Sequence, residues 1–183
     1  MSQKRIAIFG STGSIGKQTL EVIAANPDLF VAEILTAHAN ESLLIEQALL
    51  FEPNIVVIGE IGKYAIVKKA LEGKPIKVFA GEEALEQVAA MDCYDFMMAG
   101  IVGFAGLKPT LTAVQNGKAV GLANKETLVV AAIRQKNTRR QWLCRVMTVQ
   151  VKVAMTGSRT VWLGQKAAQQ WVAHGRKKSR FAA

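Results

Sequence analysis

The sequence is poor in cysteine and histidine, has no long apolar run, and beyond Glu126 has no acidic side chain. Each shortage excludes a class of protein. Two cysteines, Cys93 and Cys144, cannot build the disulfide framework of a small secreted domain, and neither belongs to a CxxC pair of the kind that holds zinc. A reducing cytosol is the expected compartment. The N-terminus runs from Met1-Ser-Gln-Lys-Arg into only four apolar residues, Ile6–Phe9, before Gly10. That is too short for a signal-peptide core, and no run approaches the ~20 residues that span a bilayer. With no Arg- and Ser-rich leader either, the expectation is a cytoplasmic protein with no membrane partner.

What is present is unevenly distributed. The formal net charge of +9 is the sum of two unlike parts. Residues 1–131 hold 11 basic and all 14 acidic side chains, whereas residues 132–183 hold 12 basic and none acidic. The basicity therefore belongs to the C-terminal segment, and the whole chain is not a nucleic-acid binder by composition. All three tryptophans, Trp142, Trp162 and Trp171, lie in that segment. It shows no sustained helical stripe, only a short alternation in Arg145–Val153. Two domains are expected: 1–131, folded, and 132–183, a basic and poorly ordered tail.

Through residue 131, short β-branched runs alternate with amphipathic ones. Arg5–Phe9, Val31–Thr36, Asn54–Ile58, Lys77–Phe79, Asp95–Ala99 and Lys118–Leu122 read as strands. Helices are expected at Ser14–Ala25 (stripe Ile15, Thr19, Val22, Ile23), Glu41–Phe51 (stripe Leu44, Ala48, Phe51), Gly62–Leu71, 82–90 and Leu107–Gln115, with another starting over Lys125–Ile133. Pro109 falls near the start of its helix, where proline is tolerated. Repeated strand–helix units predict an α/β fold with a doubly wound, mostly parallel, Rossmann-like sheet.

The first turn of that fold carries Gly10-Ser-Thr-Gly13-Ser-Ile-Gly16 between strand and helix. Glycines let the backbone turn tightly and approach a pyrophosphate, whose charge then meets the N–H groups at the helix start. The spacing is GxxGxxG; in this context it points to a dinucleotide, where in isolation it would read as a tight turn. The second strand ends in Thr36-Ala-His-Ala-Asn40 with no carboxylate for a ribose diol, which favours NADP over NAD. His38 is either a phosphate contact or a solvated side chain, and Asn40 either a helix cap or a ligand contact.

Three motifs stand in order: Gly10–Gly16, Gly100-Ile-Val-Gly-Phe-Ala-Gly-Leu-Lys-Pro-Thr110 and Leu122-Ala-Asn-Lys-Glu-Thr-Leu128. On them, residues 1–131 resemble the N-terminal, NADPH-binding part of 1-deoxy-D-xylulose 5-phosphate reductoisomerase. That family rearranges the sugar phosphate and reduces the product aldehyde with NADPH and a divalent metal, giving 2-C-methyl-D-erythritol 4-phosphate for non-mevalonate isoprenoid biosynthesis. Its members are typically homodimers. The resemblance implies that Thr12, Gly13, Ser14 and Ile15 bind the NADPH phosphates, that Asn40, Asn124 and Glu126 contact the cofactor, and that Lys125 binds substrate. A cap at Asn124 and a first-turn carboxylate at Glu126 would explain those two equally well. The Gly100–Gly106 stretch either admits the nicotinamide to the strand end or is a flexible turn. His38 and Ala39 stand where relatives often have glycine and a basic residue, so the 2′-phosphate grip is expected to differ.

Family members also carry, further on, an acidic motif of the type Asp-Ser-Glu-His that binds Mg²⁺ or Mn²⁺. Hard cations need oxygen ligands, and this sequence offers no carboxylate side chain past Glu126. The expectation is a chain truncated before the metal and catalytic region, inactive alone, with an aberrant or out-of-frame continuation. The alternative is a dinucleotide-binding protein whose tail, with Arg176-Lys-Lys-Ser-Arg180 and interleaved tryptophans, binds nucleic acid by charge and stacking. A solvated tail is the simpler account of the same residues.

Overall fold

The computed structural model describes residues 2–122 and 146–148, all within one compact unit, Met1–Val149. The expected helix over Lys125–Ile133, the three tryptophans, Cys144 and most of the basic segment lie outside the described residues.

Strands and helices alternate along the chain. They are β1 (Lys4–Phe9), α1 (Ser14–Ala25), β2 (Phe30–Ala37), α2 (Glu41–Phe51), β3 (Ile55–Ile58), α3 (Tyr64–Ala70), β4 (Lys77–Ala80), α4 (Glu82–Ala90), β5 (Phe96–Ala99), α5 (Leu107–Gln115), β6 (Ala119–Leu122) and β7 (Val146–Thr148). One-turn 3₁₀ segments, Ile61–Lys63 and Phe104–Gly106, lead into α3 and α5. The 3₁₀ turn takes the first residues of the helix expected over Gly62–Leu71. All six expected strands form, with ends moved by one residue or so, and β7 falls inside the Arg145–Val153 alternation.

The sheet order is β4-β3-β2-β1-β5-β6-β7, with every pairing parallel. The chain therefore walks outward from β1 to β4, returns past β1, and walks outward again from β5. This reversal places a crevice beyond the C-terminal ends of β1 and β5, where open α/β sheets take their ligands.

Burial follows from the parallel pairing. Ile6, Ala7, Ile8 and Phe9 are all buried, so both faces of β1 are covered, as continuous apolar strands require. One face packs Ala7, Phe9, Ile34, Val57, Met97 and Val120 against α4 and α5 through Ala84, Leu85, Val88 and Ala113. The buried residues of α1 are Gly16, Leu20 and Ile23, while Ile15, Thr19 and Val22 are only half-buried. Ile23 of the expected stripe is buried, and the rest is displaced by one position, because the missing side chain at Gly16 lets α1 press directly on the turn before it.

β1 and β2 slip register between Ile6 and Ala7, so that Glu33 is passed over in the pairing. Glu33 is buried, and its Oε1 accepts a hydrogen bond from Asn54 Nδ2 at 2.8 Å. The N-terminal ends of the strands are tied by charge. Arg5 donates through Nη2 and Nε to Asp95 at 2.9 and 3.3 Å, and Lys118 Nζ donates to Asp92 and to the Tyr94 carbonyl. The ligand-facing end is built differently.

Candidate functional site

At the C-terminal end of β1 the chain turns through Gly10 with φ +87°, a conformation that disfavours a side chain. A Cβ there would stand 3.0 Å from the Gly100 carbonyl carbon, and one at Gly100 would stand 3.0 Å from the Phe9 oxygen. Gly100 N donates to Phe9 O at 2.7 Å. The turns after β1 and β5 thus meet backbone to backbone. Gly16 completes the cradle, since a Cβ there would lie 2.3 Å from Gly10 O.

Gly13 precedes α1 with no side-chain cap, leaving first-turn N–H groups for an anion. Thr12 and Ile15 are half-buried, while Gly13 and Ser14 are exposed. These four residues form the turn from β1 into α1, at the C-terminal end of the strand. Gly103, with φ +75°, and the exposed Val102 belong to the loop after β5.

Three buried polar residues, Ser11 within the glycine motif and Thr36 and Gln47 outside it, fix the turn. Thr36, near the end of β2, accepts from Gly10 N through Oγ1 at 3.0 Å and from Ser11 N through its carbonyl at 2.7 Å. Ser11 Oγ donates to Gln47 Oε1 at 2.7 Å, and Gln47 Nε2 donates to Ser11 O at 3.0 Å. Gln47 lies in the buried stripe of α2 beside Leu44 and Ala48. A glutamine among leucines is the one local sign that such a link exists.

The loop after β2 carries the second group of predicted residues. Asn40 is exposed and caps α2, its Oδ1 accepting from Leu43 N at 3.1 Å. His38 is exposed, and the next crossover is laid against it: Gly59 N donates to Ala37 O and Glu60 N to His38 O, both at 2.8 Å. A Cβ at Gly59 would lie 3.1 Å from His38 Cα and O and 2.7 Å from its Nδ1, so the approach of the two backbones is close. Lys63, at the end of the crossover's 3₁₀ turn, reaches back so that its ammonium donates to Ala39 O and, at 2.7 Å, to Glu41 Oε2. Glu60 Oε2 stands 3.4 Å away. The hydrogen bond with Glu41 is the main reason the Lys63 pKa rises, and the same bond holds the Glu41 carboxyl below its ordinary range. No sequence motif marks Lys63.

Asn124, Lys125 and Glu126 lie outside the described residues. Among the described residues no three His, Cys, Asp or Glu side chains gather in a way that would hold a metal ion. No described helix is long and apolar enough to cross a membrane.

Residues 6–132 match the model of the 1-deoxy-D-xylulose 5-phosphate reductoisomerase family. The chain belongs to this family. A reductoisomerase of Phocaeicola vulgatus is 52% identical over 129 residues, which cover 70% of this chain and 34% of the relative. That of Bacteroides fragilis is 47% identical over 149 residues, covering 81% and 38%. The chain thus spans about a third of the length of the curated reductoisomerases it matches. Among solved structures, the Zymomonas mobilis reductoisomerase in complex with NADPH superimposes with a TM-score of 0.73 at 36% identity, over 81% of this chain and 38% of that one. A reductoisomerase in complex with NADPH, fosmidomycin and magnesium gives 0.69 at 32% identity, over 79% and 35%.

Proposed function

We propose that this chain is the NADPH-binding part of a cytosolic reductoisomerase and holds the dinucleotide at the crevice between β1 and β5. The observation that carries this reading is the close backbone packing of Gly10, Gly16 and Gly100, which any side chain would break and which sets the uncapped N-terminus of α1 beside the ends of β1 and β5. Thr12, Gly13, Ser14 and Ile15 receive the pyrophosphate, the first two turning the chain and the latter two offering first-turn N–H groups. Asn40 presents its amide beside the adenosine while its oxygen caps α2. Asn124 and Glu126 are assigned to the cofactor and Lys125 to the sugar phosphate, where a mobile cation suits an anionic substrate. When bound, NADPH supplies the hydride for reducing the rearranged aldehyde. The chain's own contribution is to fix the dinucleotide's phosphates and orient it over the strand ends.

The donor set does not fit the divalent metal of the family. The described residues offer no converging ligands, and the sequence offers no Asp or Glu beyond Glu126. No catalytic step through a metal is therefore assigned, and the chain as it stands is expected to bind NADPH without turning over 1-deoxy-D-xylulose 5-phosphate. Fluorescence titration with NADPH, followed by an absorbance assay of NADPH oxidation with the sugar phosphate and Mn²⁺, tests both parts. Saturable binding without oxidation supports the reading. Absence of NADPH binding would overturn the cofactor assignment, and substrate-dependent oxidation would overturn the predicted inactivity.

A further inference from the structure

We propose that Lys63 is the cation that selects a 2′-phosphate on the dinucleotide, supplied from the β3–α3 crossover rather than from the loop after β2. The proposal deepens the NADPH reading and rests on it. In a doubly wound sheet the adenosine ribose lies over the C-terminal end of the second strand, and the charge found there decides between a free diol and a phosphate. Here that loop, His38-Ala39-Asn40, contains neither a lysine or arginine nor a carboxylate, and Asn40 Oδ1 is committed to capping α2.

The structure fills the gap from the neighbouring crossover. Gly59 and Glu60 hydrogen-bond the backbone of Ala37 and His38, and the absence of a side chain at Gly59 lets the two loops touch. This contact carries Lys63 over the end of β2, where its Nζ donates to the Ala39 carbonyl. The side chain is 29% exposed, so the ammonium is positioned yet reachable.

An ammonium has three donors, and three partners occupy them here: Ala39 O, Glu41 and Glu60. The Glu60 contact is the longest, and its carboxylate is 46% exposed, so it is the partner most readily exchanged. A phosphate monoester, with a charge of about −1.5 to −2 at neutral pH, is a stronger acceptor than a solvated carboxylate. Lys63 keeps its backbone anchor at Ala39 and trades a carboxylate for the phosphate. Glu41 and Glu60 hold the lysine in place without cofactor and compete for it when cofactor arrives. Cation and anion at this site therefore act on NADPH affinity with opposite signs, which a purely structural ion pair would not do.

The test titrates the full 183-residue chain, as wild type, Lys63→Met and Glu60→Gln, with NADPH and with NADH, following nicotinamide fluorescence. Loss of one charge-assisted contact should weaken NADPH binding by about ten- to a hundredfold in Lys63→Met and leave NADH within about twofold. Glu60→Gln should bind NADPH more tightly than wild type. Unchanged NADPH affinity in Lys63→Met, or an equal loss for both dinucleotides, overturns the assignment while leaving the cofactor reading intact. So does weaker NADPH binding by Glu60→Gln. Wild-type protein that binds neither dinucleotide overturns the cofactor reading and this assignment with it.

Discussion

Replacing Gly16 with alanine adds one methyl group at the most crowded point of the cradle. The new carbon would lie 2.3 Å from Gly10 O, 2.5 Å from Ser11 Cα and 2.6 Å from the Ser11 carbonyl carbon. All three are backbone atoms, so no side-chain rotation relieves the overlap. Either α1 retreats from the turn by about 1 Å or the turn opens, and such overpacking costs about 3 kcal/mol at the upper end of its usual range. Alanine returns about 1 kcal/mol through helix propensity. The net loss is about 2 kcal/mol, which for a chain of this size lowers the melting temperature by roughly 4–8 °C. Moving the first-turn N–H groups should also weaken NADPH binding. Gly13→Ala is the internal control: its φ is −77°, and the added carbon meets only Gly10 O at an ordinary 3.4 Å. Thermal unfolding followed by circular dichroism, with NADPH titration of both variants, measures the effect. If Gly16→Ala melts with the wild type, or Gly13→Ala is the more damaged of the two, the close-approach argument is wrong.

Two further outcomes follow from the opposite end of the sheet. Tyr94 is fully buried and donates from its hydroxyl to Ala89 O at 2.6 Å, so Tyr94→Phe should lose about 1–3 kcal/mol in urea unfolding; an unchanged midpoint would show that the bond adds nothing. Asp95 is held below the usual carboxylate range, first by its hydrogen bonds from Arg5. A depressed native pKa means the pair's stabilisation is complete above the unfolded value of about 4 and is lost as pH falls through the native one. The stability gap between wild type and Asp95→Asn should therefore be small, flat above about pH 5, and shrinking below about pH 4. A gap that widens in acid would refute the assignment.

Much of this architecture was legible because it is encoded locally. Ile6–Phe9 and Ile55–Ile58 are apolar runs whose burial on both faces needs no distant information to guess. The Gly10, Gly13 and Gly16 spacing announces its turn within seven residues. What stayed hidden depends on contacts between segments far apart in sequence. Gln47 looks like a flaw in an apolar stripe until Ser11, 36 residues earlier, is placed beside it. Lys63 reads as an ordinary lysine before a short helix, and only the packing of one crossover on another brings it to Ala39, 24 residues away. The α1 stripe keeps Ile23 but runs through Gly16 and Leu20 instead of Ile15 and Thr19, because periodicity weighs side chains and the decisive position has none.

The central place of β1 in the sheet also sets an order of events during folding. Gly10 meets its β2 partner Thr36 across 26 residues, but Arg5 meets Asp95, beside β5, only across 90. Closing the longer loop costs about 1 kcal/mol more in chain entropy than closing the shorter. During synthesis β1 must wait with one edge open until β5 has left the ribosome. The contact between Gly10 and Gly100 forms only then, so the proposed dinucleotide site is complete only once the first and fifth strands have found each other.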